Sequence, residues 1–258
     1  DALKSLTEAR VDDIAKLQSD IDTREDEVRR LQELERQQEA RAIIEVEGEG
    51  DRQYLTGLYM GGKHVLIALD ASASMLAESI INVLRRRHMS EERKLASPKW
   101  QRALATVSWL TAQIPVESHV QIVTFNTELK TVFQNEDWVA AIEADRIDTA
   151  IEGLSEKTPE NGTNLLILFN HIAAMDPQPD NVFLIIDSLP TQSSREPRKA
   201  VVTGQKRFEY FRDAVEELPQ GIPINVIMFP MEGDPQASAA YWNLARITQG
   251  TYMSPSRD

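Results

Sequence analysis

The chain has no cysteine among its 258 residues, which excludes disulfides, iron–sulfur clusters and thiolate-bound zinc together. It also lacks an apolar run long enough to span a bilayer, and no signal-peptide pattern opens it. The first residue is Asp1 rather than Met, so the chain reads as a fragment, and any upstream anchor or signal would have been left out. Basic residues are few beside acidic ones, 28 against 41, and the formal net charge is −13. A surface of that sign repels phosphate backbones, so nucleic acid is not an expected partner. The rest of the composition is that of a chain that buries a core.

Glycine and proline are absent from residues 1–46, which are dense in Glu, Asp, Arg, Gln and Leu. Leu3, Ile14, Leu17, Ile21, Val28 and Leu31 fall at heptad a and d positions, although Thr7, Arg10, Arg24 and Glu35 interrupt the seam. Such a stripe buries one narrow face against a second helix, so residues 1–46 are expected to form a helical coiled-coil stalk that self-associates. A charged helix lying on the adjoining domain is the alternative. Glycines alternating with acids near Glu47–Gly50 punctuate the pattern. Residues 47–63 are read as a linker.

From His64 onward strand and helix signals alternate. The run His64–Leu69 is continuously apolar after its first residue, as a strand buried on both faces requires. Ser97-Pro98 marks a helix start, with serine as cap and proline in the first turn. His119 to Phe125 and Leu129 to Phe133 read as strands joined by a tight turn, and Trp138 to Leu154 as mostly helix. Asn164 to Met175 is expected to be helical, Val182 to Ile186 a buried strand, and Phe208 to Leu218 a helix. Ile224 to Phe229, Pro235 to Ile247 and Thr251 to Met253 complete the series as strand, helix and strand. The expected fold class is α/β: a doubly wound, mostly parallel sheet over residues 64–258 with one antiparallel edge strand. In such sheets ligands sit at the carboxyl ends of the strands.

Asp70-Ala71-Ser72-Ala73-Ser74 directly follows the first strand. One carboxylate and two hydroxyls form a hard, oxygen-only set suited to Mg2+, Mn2+ or Ca2+. By itself the pattern equally describes a helix cap. Asn161-Gly162-Thr163-Asn164, ahead of a helix, adds a hydroxyl, and Asp187-Ser188-Leu189-Pro190-Thr191 follows another apolar strand and adds a second carboxylate. Three such elements at one edge of one sheet are much less probable by chance than any one of them.

DASAS, NGTN and LIIDSLPT, in that order, resemble the metal-ion-dependent adhesion site of von Willebrand factor A domains. Ala73 and Ser188 stand where that family commonly has glycine, and neither position supplies a metal-binding side chain. The resemblance implies hydroxyl ligands from Ser72, Ser74 and Thr163, with Asp70 and Asp187 acting largely through bound waters. It further implies a non-enzymatic module in which an acidic side chain of a protein partner completes the coordination of Mg2+, or of Mn2+ or Ca2+. A charged coil ahead of such a domain resembles bacterial membrane-tethered members of the family. That analogy implies the periplasmic face of the inner membrane and association with a proton-channel motor complex, with a cytoplasmic location as the alternative.

Met75 to His88 reads as an amphipathic segment inserted before the Ser97-Pro98 helix, and it ends in Arg85-Arg86-Arg87-His88. With Arg195, Arg198 and Lys199 it suggests a basic rim that steers an acidic partner toward the metal, ordinary solvated helix and loop charges being the alternative. Gly57 to His64 nearly spells a phosphate-binding loop, but it precedes a strand and lacks the final Ser/Thr. An Mg2+-dependent phosphohydrolase using Asp70 as nucleophile is the enzymatic alternative. It is weakened by Ser72 where a second acid is usual and by the lack of an obvious partnered lysine. His64, His88, His119 and His171 form no metal-spaced set, and no G-x-S-x-G elbow is present. A coiled-coil scaffold with a vestigial metal site is the third reading.

Overall fold

The computed structural model describes residue 58 and residues 60–133, 138–194 and 201–255. The stalk expected over 1–46, most of the 47–63 linker, and Arg195, Arg198 and Lys199 lie outside the described residues.

Seven strands form one sheet: β1 (His64–Asp70), β2 (His119–Phe125), β3 (Leu129–Thr131), β4 (Val139–Ala140), β5 (Asn181–Ile186), β6 (Ile224–Met228) and β7 (Tyr252–Met253). Their order is β3-β2-β1-β5-β6-β7, with β4 also on β2. From β2 to β7 every pairing is parallel. β3 and β4 run antiparallel along one edge of β2, β3 beside Val123–Phe125 and β4 beside His119 and Val120. The expected antiparallel edge is therefore there, built from two short pieces.

β1 shows why a continuous apolar run becomes a central strand. Side chains alternate across a strand: Val65, Ile67 and Leu69 enter the core on one face, and Leu66 and Ala68 the core on the other. The first face is covered by α3 (Pro98–Thr111) and α4 (Ala144–Ser155), through Trp100, Ala103, Val107, Leu110, Ile147 and Leu154. The second is covered by α5 (Leu165–Ala174), α6 (Gly204–Glu216) and α7 (Pro235–Ile247). The remaining helices, α1 (Ile80–Arg87) and α2 (Glu91–Leu95), occupy the stretch between β1 and α3.

Three readings of the sequence need correcting. The helix expected over 138–154 begins only at Ala144, because Val139 and Ala140 complete the sheet edge and Val139 is buried there. Ser97 stands at the N-cap of α3, yet its hydroxyl makes no capping bond. It instead accepts a hydrogen bond from Arg86 Nη1 at 3.0 Å, tying α1 to α3. The inserted segment also divides: Ala73–Leu76 is a tight 3-10 turn whose Met75 and Leu76 are fully buried, and only Ile80–Arg87 forms the helix. No helix among the described residues is long and apolar enough to cross a membrane.

Candidate metal centre

Chain order reverses at β1, with β2 on one side and β5 on the other. The carboxyl end of such a strand opens into a crevice, because the loops leaving it diverge. Asp70 ends β1 and Asp187 follows β5, and both are fully buried there. The NGTN loop is stitched across the same edge by backbone bonds. Glu160 N donates to Ala71 O at 2.9 Å, Ala73 N to Asn161 O at 3.0 Å, and Asn164 N to Asn126 O at 2.9 Å. Asn161 takes a left-handed φ of 64° in this loop, a conformation asparagine tolerates better than most residues.

All five residues expected to bind metal are brought together. Thr163 Oγ1 donates to Asp70 Oδ2 at 3.2 Å, and Ser72 N to Asp70 Oδ1 at 2.7 Å. The hydroxyls of Ser72 and Ser74 are 2.8 Å apart, and Ser74 Oγ donates to Asp187 Oδ1 at 2.9 Å. Four of the five residues are buried and Ser74 is partly exposed, so the oxygen cluster meets solvent at Ser74. No group of three His, Cys, Asp or Glu residues with metal-binding geometry occurs among the described residues; any cation held here depends on the hydroxyls. The donor set fits one. Adjacent corners of an octahedron around Mg2+, with ligands at about 2.1 Å, lie about 3 Å apart, close to the spacing of the three hydroxyl-containing contacts.

Four further residues support this cluster, and of these only Thr191 lies within a motif seen in the sequence. Lys99, in the first turn of α3, is 2% exposed and places its ammonium 2.6 Å from Asp187 Oδ2. The same nitrogen donates to Ser74 O at 3.2 Å and Ala77 O at 3.3 Å. Thr191 Oγ1 accepts from Thr163 N at 3.0 Å, and the amides of Thr191 and Gln192 both return to Thr163 O. Gly162 permits this contact, because a Cβ there would lie 2.5 Å from Thr191 Oγ1. Asn126 Nδ2 donates to Glu160 O at 3.1 Å. Tyr241, fully buried, donates to Ser188 O at 3.1 Å. Burial, then the negative charges of Asp70, Asp187 and Asp234, hold its phenol well above the ordinary range, so it remains a donor.

Lys99 corrects the expectation that no lysine is partnered at this edge. Its partner is Asp187, however, and not Asp70, the carboxylate a phosphohydrolase would use. Both oxygens of Asp70 already accept hydrogen bonds beneath Ser72 and Thr163, and the residue has no solvent exposure. A nucleophile must reach its substrate, and in this geometry Asp70 offers no exposed oxygen. The described C-terminal part of the phosphate-loop look-alike lies at the opposite end of the sheet, where the Lys63 and His64 amides, at the start of β1, donate to Asp180.

Burial first, and then the charge of Asp187, raise the Asp70 carboxyl from its usual 3.8 to about 7, against opposing hydrogen bonds from Ser72 and Thr163. The folded protein thus holds this proton more tightly than the unfolded chain. The contribution to stability is fully present below about pH 4 and is lost as pH rises through about 7. Urea unfolding in EDTA should therefore reveal a loss of stability from this group across that window. A divalent cation must displace the same proton, so Mg2+ affinity should rise with pH and level off above about 7. Calorimetry across the range checks this, and a flat profile would contradict it.

No family model matches the chain, and no curated protein matches it. Solved structures do. The chain is similar to the conserved hypothetical protein BatB from Bacteroides thetaiotaomicron, with 17% identity over 76% of this chain and 92% of that one and a TM-score of 0.45. It is similar to a von Willebrand factor type A protein from Catenulispora acidiphila, with 13% identity over 76% and 39% and a TM-score of 0.48. It is also similar to proximal thread matrix protein 1 of the mussel byssus, whose structure is described as having a zinc-occupied adhesion-site motif, with 13% identity over 76% and 44% and a TM-score of 0.43.

Proposed function

We propose that this chain is a non-enzymatic binding module that grips a protein partner through a divalent cation, Mg2+ in the first instance, held by Asp70, Ser72, Ser74, Thr163 and Asp187. The observation that carries this reading is the continuous contact from Thr163 through Asp70, Ser72 and Ser74 to Asp187, in which every side-chain group is an oxygen. Ser72, Ser74 and Thr163 would hold the ion and the two aspartates would neutralise it.

When bound, the cation supplies an electron-poor coordination position that a carboxylate fills well. The protein's own contribution is to keep the neighbouring groups dry and in register. Lys99 cancels one of the two buried negative charges, so the site as a whole remains short of negative charge and favours an acidic side chain from outside. Of the five residues Ser74 is the one that meets solvent, so a protruding carboxylate would approach past it.

Calorimetric titration of the whole chain with Mg2+ tests the reading, with Asp70→Ala expected to abolish binding. A partner retained in Mg2+, released by EDTA and missed by Asp70→Ala is expected from affinity capture. Absence of measurable binding of Mg2+, Mn2+ or Ca2+ to the wild type would turn the assignment toward a scaffold.

A further inference from the structure

Between α1 and α2 lies a cavity of about 410 Å3 whose walls include Asn82, Arg85, Arg86 and Arg93. Arg86 reaches Ser97 Oγ, and none of the three arginines has an ion pair among the described residues. In a chain with 41 acidic residues against 28 basic ones, three neighbouring arginines with no carboxylate partner among the described residues form a place where anions are wanted. Arginine offers carboxylates a fork of donors that lysine does not.

This cavity adjoins the metal edge. A smaller one of about 230 Å3 shares Asn82 and Arg86 with it and is walled on its other side by Leu76, Ala77 and Lys99. Lys99 is the residue whose ammonium touches Asp187. Glu78, also in the wall of the smaller cavity, is paired with Arg102. Alongside, α1 leaves Ile81 and Leu84 exposed at 72% and 53%. Arg85 and Arg86 and the exposed apolar residues thus share one inserted helix, beside a cavity whose far wall is the buried Lys99.

We propose that the arginine-walled cavity is a second subsite, which takes another carboxylate of the same acidic, partly apolar polypeptide segment whose first carboxylate meets the metal. The proposal rests on the metal reading for its first contact and on Arg85, Arg86 and Arg93 for its second. Recognition at two points selects segments with suitably spaced acids over any isolated carboxylate.

A short fluorescein-labelled peptide of glutamates and leucines, titrated into the full chain at low salt with Mg2+, tests it by anisotropy. Arg85→Glu with Arg93→Glu should weaken binding by about tenfold or more, whereas Mg2+ affinity by calorimetry should stay at the wild-type value. Lys206→Glu with Arg212→Glu, on α6, makes the same change in net charge away from the cavity and should bind the peptide as the wild type does. Circular dichroism melts verify that both double variants fold. Equal peptide affinity in the two double variants would overturn the subsite, as would a wild type that binds Mg2+ but no peptide. If the wild type binds no Mg2+, the metal reading fails separately, and the subsite is judged by the peptide in EDTA. Arginine-sensitive binding there keeps it, and no binding removes it.

Discussion

Replacing Lys99 by methionine is expected to cost about 3–5 kcal/mol of stability in EDTA and markedly less in saturating Mg2+. Methionine roughly matches the volume of the lysine stem, so the change removes mainly the charge and the three donors. Lys99 is 2% exposed and Asp187 has no exposure, so the carboxylate left behind can recruit little water. It also stands in the field of Asp70, whose raised pKa already registers the repulsion between the two acids. Mg2+ restores positive charge at the same place. Whatever stability the ion gives back must reappear as tighter binding, so the variant should bind Mg2+ at least about tenfold more tightly, each tenfold corresponding to about 1.4 kcal/mol. Urea unfolding in both conditions and calorimetry measure the two sides of this linkage. Equal losses in EDTA and Mg2+ would mean that Lys99 matters only through its bonds to the Ser74 and Ala77 carbonyls.

The two aspartates should respond with opposite signs. Asp187→Asn strands the Lys99 ammonium in the interior, and breaking a buried pair from the acidic side costs about 3–5 kcal/mol, as from the basic side. Asp70→Asn removes a charge that burial disfavours, and asparagine can still accept from Ser72 N and donate to Thr163 Oγ1. It should therefore stabilise the protein in EDTA at pH 8 by an amount on the order of 1–3 kcal/mol. Neither variant should bind Mg2+ measurably. Combining Lys99→Met with Asp187→Asn should recover much of the loss of either single change, since no unpaired charge at this pair remains. Destabilisation by Asp70→Asn in EDTA would show that its hydrogen bonds outweigh the cost of burying its charge.

These expectations divide the site into what a linear reading can find and what it cannot. Asp70 and Asp187 were legible because each ends a buried apolar strand, and strand ends on one side of a parallel sheet share an edge. Ser72, Ser74 and Thr163 were legible because they lie within short motifs beside those ends. Tyr241 and Asn126 look like ordinary core and turn residues, and nothing local marks their hold on the site loops. The basic run at Arg85–Arg87 was visible, but the approach of Arg85 and Arg86 to Arg93 depends on how two short helices meet.

Local pattern by itself determined the α/β class, the parallel central strands and the antiparallel edge, and it placed the oxygen-bearing motifs at strand ends, because strand period and strand-end chemistry depend on near neighbours. It misplaced the start of α4, since Val139 and Ala140 adopt extended structure only because β2 presents an edge that they complete. Tertiary structure alone decided the charge of the candidate metal centre. Lys99 lies 88 residues from Asp187 in the chain, in a helix turn where a lysine is ordinarily solvated. Packing of Trp100 and its neighbours against β1 carries that turn into the crevice, and exclusion of water there makes a single ammonium as important as either aspartate.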